Sequence, residues 1–289
     1  MNFKKLFIFL LLAFSYQLSY AAQRRVALII GNSDYTFSPL KNPVNDANGM
    51  AAVLQKMGFK VVKGTNLTRK QMRLKVREFG NAIKHADVSL FYFAGHGMQF
   101  DGQNYLIPVQ SNIGSEDEIM DEAINASSVL RKMESAGSSV NIVILDACRN
   151  NPFKRSFRSA SRGLTRIEGP KGSLIAYATS PGSVAADGEG SHGLYTENLI
   201  KYIQEPIPLE KVFKKVRIAV SNSTEDKQIP WENSSLVGED FYFNTDHQAP
   251  INAPPVMLYK KTPTTKIEPQ SQKPFSAEEL RAISVFDRL

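Results

Sequence analysis

The stretch that most limits what this chain can fold into is Val140–Arg149, which reads V-N-I-V-I-L-D-A-C-R. Five of its first six residues are Val, Ile or Leu, broken only by Asn141. So short a run, apolar on both alternations, predicts a strand buried on two faces, as in a parallel sheet. It ends in Asp146-Ala147-Cys148-Arg149, and Pro152 then stops regular structure. Cys148 is the only cysteine of 289 residues. It stands where a buried strand empties into a loop, which is where open α/β sheets place their chemistry. Val88–Ala94 (V-S-L-F-Y-F-A) repeats the design and empties into Gly95-His96-Gly97. A lone cysteine and a glycine-flanked histidine at two strand ends suggest a thiol nucleophile and its base.

The remaining pattern alternates strands with helices. Arg25–Gly31 reads as a first strand, and a polar loop follows over Asn32–Asn42. Pro43 opens a helix with Met50, Val53, Leu54 and Met57 at helical spacing, and Gly58 closes it. Phe59–Val62 is a second strand. Thr68 and Gln71 form a capping box for a basic amphipathic helix running to about His85. Met98–Pro108 predicts a hairpin turning at Asp101-Gly102. A helix over Ala126–Ala136 precedes the Val140 strand. Ser173–Ala178 predicts a further strand, Leu194–Ile203 and Leu209–Val220 two helices, and Asp240–Phe243 a final strand. The fold expected is α/β, a mostly parallel six-stranded sheet with helices on both faces.

Both ends carry other signals. Lys4-Lys5, the apolar run Leu6–Phe14 and Ser19-Tyr20-Ala21 have the form of a secretory signal peptide. The apolar run is too short to span a bilayer. Residues 1–21 are therefore expected to be removed on export to the periplasm or the medium, leaving no membrane span. The folded domain is expected over 22–245. A Pro-rich linker occupies 246–275, with five prolines between Gln248 and Lys273, and a short helix takes 276–289. In an oxidising compartment cysteines usually pair, so a single one points to a reactive thiol.

Charge excludes one partner class. Removing Lys4 and Lys5 leaves +5 of the formal +7. Between Arg149 and Lys171 seven basic residues face Glu168 alone, so one loop carries more than the whole excess. A flexible basic loop is a poor groove reader, with Phe153 and Phe157 its only aromatics, so this pattern argues against nucleic acid. The acidic cluster Glu116-Asp117-Glu118 with Asp121-Glu122 lacks the spacing of a calcium loop and reads as a solvated turn. No metal or other cofactor is expected.

Val26–Asn32 (V-A-L-I-I-G-N), Asn42-Pro43 through Asp46, Tyr92–Gly97 (Y-F-A-G-H-G) and Ile144–Arg149 (I-L-D-A-C-R) together resemble the caspase-like peptidases. The likeness is to their bacterial metacaspase-like (orthocaspase) and paracaspase branch. Cys148 follows His96 by 52 positions, against about 50 in caspases. Asp146 and Asn150 depart from the animal caspase pattern, which has glutamine and glycine there. The resemblance covers about Gln23–Phe243, including Ala178–Gly182 and Ser191–Tyr195. It implies a cysteine endopeptidase with His96 and Cys148 as dyad and the amides of Gly97 and Cys148 as oxyanion donors. It also implies that Asp46 and Asp146 hold an Arg or Lys side chain of a protein or peptide substrate. A third acid of the paracaspase pocket has no clear match, Asp187 being nearby but shifted.

The family's segment after the nucleophile is often cut during maturation. Here it is the basic loop 150–171, read as exposed and without apolar periodicity, with Arg155, Arg158, Arg162, Arg166 and Lys171 as processing candidates. His192, beside a glycine, reads as a surface-loop histidine. The rival reading is a non-catalytic caspase-like module that binds a partner peptide in the same cleft. Oligomeric state has no signature in the sequence.

Overall fold

The computed structural model describes residues 23–148, 164–180 and 190–245. Residues 1–21, the linker and the terminal helix lie outside these, as do Arg155, Arg158, Arg162 and Asp187.

Five parallel strands form the centre: β1 (Arg25–Gly31), β2 (Phe59–Thr65), β3 (Val88–Phe100), β6 (Val140–Cys148) and β7 (Ser173–Tyr177). The order across the sheet is β2-β1-β3-β6-β7-β8, with β8 (Trp231–Ser234) antiparallel to β7. The expected six-stranded, mostly parallel sheet is therefore present, but its last strand is not Asp240–Phe243. That segment makes one isolated bridge, Tyr242 to Pro208. The Arg25 guanidinium holds it instead, donating to the carbonyls of Phe243 (2.7 Å) and Tyr242 (3.1 Å). Phe241 and Phe243 are buried against the helices on that side. Three successive aromatics here serve a docked irregular segment, a pattern that imitates a strand.

Double-sided burial follows the strand alternation. Ala27 and Ile29 of β1, with Ile142 and Ile144 of β6, pack against α1 (Pro43–Lys56), α5 (Leu194–Tyr202) and α6 (Leu209–Ser223). Val26, Leu28 and Ile30, with Val143 and Leu145, face α2 (Arg69–Ala82) and α4 (Ala126–Ala136). No described helix is long and apolar enough to cross a membrane.

The hairpin lies where the turn residues put it. β3 pairs antiparallel with β4 (Gln103–Leu106) around Asp101 (φ 47°) and Gly102 (φ 68°), the positive-φ pair of a two-residue turn. A two-residue β5 (Ile124–Asn125) adds to β4, just after the single-turn helix α3 (Ile119–Glu122). In the acidic cluster, Glu118 accepts the Gly114 N–H at 2.7 Å. The Asp117 carboxyl lies below its usual pKa, chiefly because the Ser115 side chain hydrogen-bonds to it. Among the described residues, no three His, Cys, Asp or Glu converge as metal ligands do.

Candidate active site

β3 and β6 carry the site. They stay in parallel register from Val88↔Val140 to His96↔Cys148, whereas β1 leaves β3 at Gly31↔Ala94. The last pair of the longest parallel ladder is thus His96 beside Cys148, on strands about 4.8 Å apart. His96 was expected in a loop after β3. It lies within the strand, which continues into the hairpin.

Gly95 makes that continuation possible. Its φ is +150°, and a Cβ there would lie 2.6 Å from Tyr35 Oη and 3.0 Å from Phe93. Tyr35 fills the space. Its hydroxyl accepts the His96 backbone N–H (3.0 Å) and donates to the Ile107 carbonyl (2.9 Å). The ring packs 4.4 Å from the imidazole, with Phe37 at 5.6 Å. His96 is therefore buried and oriented from two sides.

Its tautomer follows from one contact. Nε2 lies 2.7 Å from the Ser38 carbonyl oxygen, which can only accept, so Nε2 carries hydrogen. In the neutral ring the lone pair is then on Nδ1, the nitrogen able to take a proton. The Ile107 N–H donates to the His96 carbonyl, which makes the neighbouring Gly97↔Leu106 a non-hydrogen-bonded pair. The Gly97 amide is consequently not spent on β4.

Asp46 and Asp146 are brought together. Asp46 sits in the first turn of α1 and is buried. Its Oδ1 accepts from His192 Nδ1 and from the Gly193 N–H, both at 3.0 Å. Asp146, two residues before Cys148, accepts from Thr196 Oγ1 at 2.6 Å. Tyr92 Oη lies 2.6 Å from that Thr196 oxygen, so the relay runs from tyrosine through threonine to carboxylate. Burial, then the charges of Asp146 and Asp46, push the Tyr92 phenol well above its ordinary pKa and keep it neutral. Both carboxylates border Gly193, the N-cap of α5. A Cβ there would be 3.2 Å from Asp46 Oδ2 and 3.8 Å from Asp146 Oδ2. The positive end of a helix thus offsets two converging anions.

Sequence reasoning did not find Tyr35, Ser38, Thr196 or Gly193, and it misread His192. That side chain is 28% exposed, but its Nδ1 donates to the Asp46 carboxylate. Its position one residue before the glycine opening an amphipathic helix was the available signal.

Part of the basic loop is corrected as well. Leu164 and Ile167 are buried in the core beside α2 and α4. Thr165 exchanges two hydrogen bonds with the Asn104 side chain, and the Ile167 N–H donates to Tyr177 Oη. Arg166 bonds Asn233 and lies over Trp231. Lys171 is exposed, but Gly172 after it is held between Asn141 and Ser235. A buried leucine and isoleucine three apart are too short a pattern to show as periodicity among so many charges.

The family profile described as Caspase domain matches residues 24–242. The chain is 28% identical over 206 residues to human mucosa-associated lymphoid tissue lymphoma translocation protein 1, covering 71% of this chain and 24% of that one. Mouse caspase-1 is 26% identical over 247 residues, covering 77% of this chain and 60% of the relative. The chain thus spans about a quarter of the first relative and under two thirds of the second. Among solved structures, the Drosophila initiator caspase Dronc superposes with a TM-score of 0.56 at 14% identity, covering 78% of this chain and 86% of that one.

Proposed function

The chain belongs to the caspase-domain family, whose members act on protein substrates, and we propose that it is a cysteine endopeptidase cutting after Arg or Lys with His96 and Cys148 as its dyad. The carrying observation is the register that ends with His96 beside Cys148 at the carboxyl edge of the sheet.

The chemistry follows from the tautomer. His96 Nδ1 takes the thiol proton, and the thiolate attacks the scissile carbonyl. The amides of Gly97 and Cys148 receive the developing oxyanion. The imidazolium returns its proton to the leaving amine, forming the acyl-enzyme, and then serves as base for the hydrolytic water. Ser38 keeps the ring oriented through both transfers. Asp46 and Asp146 bind the P1 cation, whose charge complements the two carboxylates that meet at Gly193. Proteolytic processing of the chain belongs to the same reading, at Arg155, Arg158 or Arg162. Export through residues 1–21 does too: with no second cysteine in the chain to bridge intramolecularly, Cys148 remains a thiol.

The test uses a thiol-reactive peptidyl-arginine ketone. It should label Cys148 in the wild type and fail with His96→Ala, and an arginine peptide should compete better than an aspartate or alanine one. No labelling would favour the non-catalytic peptide-binding module. A preference for aspartate would remove the pocket assignment.

A further inference from the structure

The molecule carries a second concave site, away from the dyad. A groove of about 770 Å³ runs between α2 and α4, lined by Arg69, Lys70, Arg73, Arg77 and Lys132, with no carboxylate in its walls. None of these five cations forms an ion pair among the described residues; the nearby Lys75 spends its charge on Glu78. The Nε of Arg69 is buried without a hydrogen-bond partner among the described residues. Folding like charges into one concavity unopposed costs stability, and nothing in the sheet's architecture requires it.

We propose that this groove is an exosite for an acidic, partly apolar segment of the protein substrate. The arrangement of charge selects a peptide over a compact anion. Arg69, Arg73 and Arg77 recur every fourth residue along one side of α2, a span of about 12 Å. That spreads the charge over the reach of about four extended residues. Apolar side chains stand among the cations: Leu74, 44% exposed, on one wall and Ile124 on the other. An inorganic phosphate would use neither the span nor the apolar wall. Position supports the same occupant. α2 follows β2 and α4 precedes β6, so both first turns lie at the carboxyl edge that carries His96. Asn125 of the groove is two strands from β3, through β4, or roughly 10 Å. The groove and the Asp46–Asp146 pair lie on opposite faces of the sheet, so a single substrate chain would occupy both by crossing the carboxyl edge beside His96.

This inference rests on the peptidase reading for its substrate, but its first test does not. A fluorescent peptide of alternating Glu and Leu, without Arg or Lys, is titrated into the full Cys148→Ala chain and followed by anisotropy at low salt. Saturable binding that weakens about tenfold in Arg73→Glu/Arg77→Glu, and likewise with Lys132→Glu on the facing wall, supports the groove. Absence of binding, or unchanged binding in both variants, overturns it. So does displacement by a single-stranded oligonucleotide at lower charge concentration than the peptide. The second test uses active enzyme. Arg73→Glu/Arg77→Glu should cleave a short basic peptide at the wild-type rate yet lose about tenfold in kcat/KM when that peptide carries the acidic extension. Equal rates on both peptides overturn the exosite while leaving the dyad standing. A chain that cuts nothing but binds the acidic peptide leaves the groove standing and removes the dyad.

Discussion

Gly193→Ala adds one methyl group at the point the two pocket carboxylates share. The new Cβ would sit 3.2 Å from Asp46 Oδ2 and 3.8 Å from Asp146 Oδ2. It occupies the space a substrate ammonium or guanidinium must enter to reach both oxygens. The backbone tolerates the change, since Gly193 has φ −61° and ψ 143°, open to alanine. Its N–H still donates to Asp46. Lower unfolded-state entropy favours the variant by about 0.4–1 kcal/mol, and the poorer N-cap costs a similar amount. Net stability should therefore move by less than about 1 kcal/mol. Binding loses much more: a charge-assisted contact contributes about 1.5–3 kcal/mol. At 1.36 kcal/mol per decade, kcat/KM for arginine peptides should fall roughly ten- to a hundredfold. The assay compares arginine and alanine P1 peptides on wild type and variant, beside thermal melts. A folded Gly193→Ala enzyme with undiminished preference for arginine would refute the placement of P1 between these carboxylates.

Gly95→Ala should cost about 1–3 kcal/mol of stability, because alanine rarely adopts φ +150° and its Cβ meets Tyr35 Oη at 2.6 Å; a urea titration matching wild type would contradict this. Tyr195 is buried, its hydroxyl has no hydrogen-bond partner among the described residues, and burial followed by the Asp146 charge holds its pKa well above the ordinary value. Its folded pKa is raised, so the contribution is complete below about pH 10 and is lost as pH rises beyond, where the unfolded phenol ionises first. Tyr195→Phe removes a buried hydroxyl without a partner, so it should be at least as stable as wild type at pH 7, with an advantage that grows above pH 10, and parallel decline in urea unfolding would sink the argument. Self-processing should occur after Arg155, Arg158 or Arg162 and spare Arg166 and Lys171, whose backbones are docked; intact masses of wild type and Cys148→Ala decide it, and a cut at Arg166 in folded protein would be the contrary result.

The sheet was legible because its signal is collective. Val140–Leu145 and Val88–Phe93 are apolar on both alternations, and only a parallel strand covered on two faces uses such a run. The hairpin was legible for the opposite reason: Asp101-Gly102 supplies positive φ at two successive positions. What escaped were contacts fixed by a single partner far along the chain. Asp240–Phe243 reads like a strand, yet Arg25, more than two hundred residues earlier, decides that it docks as an irregular segment. Leu164 and Ile167 were invisible among five neighbouring cations, and they turn the end of a supposedly free loop into part of the core.

The histidines show where local reasoning misleads most. His96 was recognisable through its glycine neighbours, but the group that sets its tautomer is the Ser38 carbonyl, and a backbone oxygen has no residue identity to read. His192 has a glycine neighbour too and was set aside. It lies against Asp46, the residue proposed to receive the substrate's cation. Asp46 has one oxygen turned to His192 and Gly193 and the other toward Asp146. The first oxygen fixes α1 to the start of α5. Asp46 thus ties the start of one helix to another at the point where the P1 cation is proposed to bind, a contact made across almost 150 residues that no local pattern could announce.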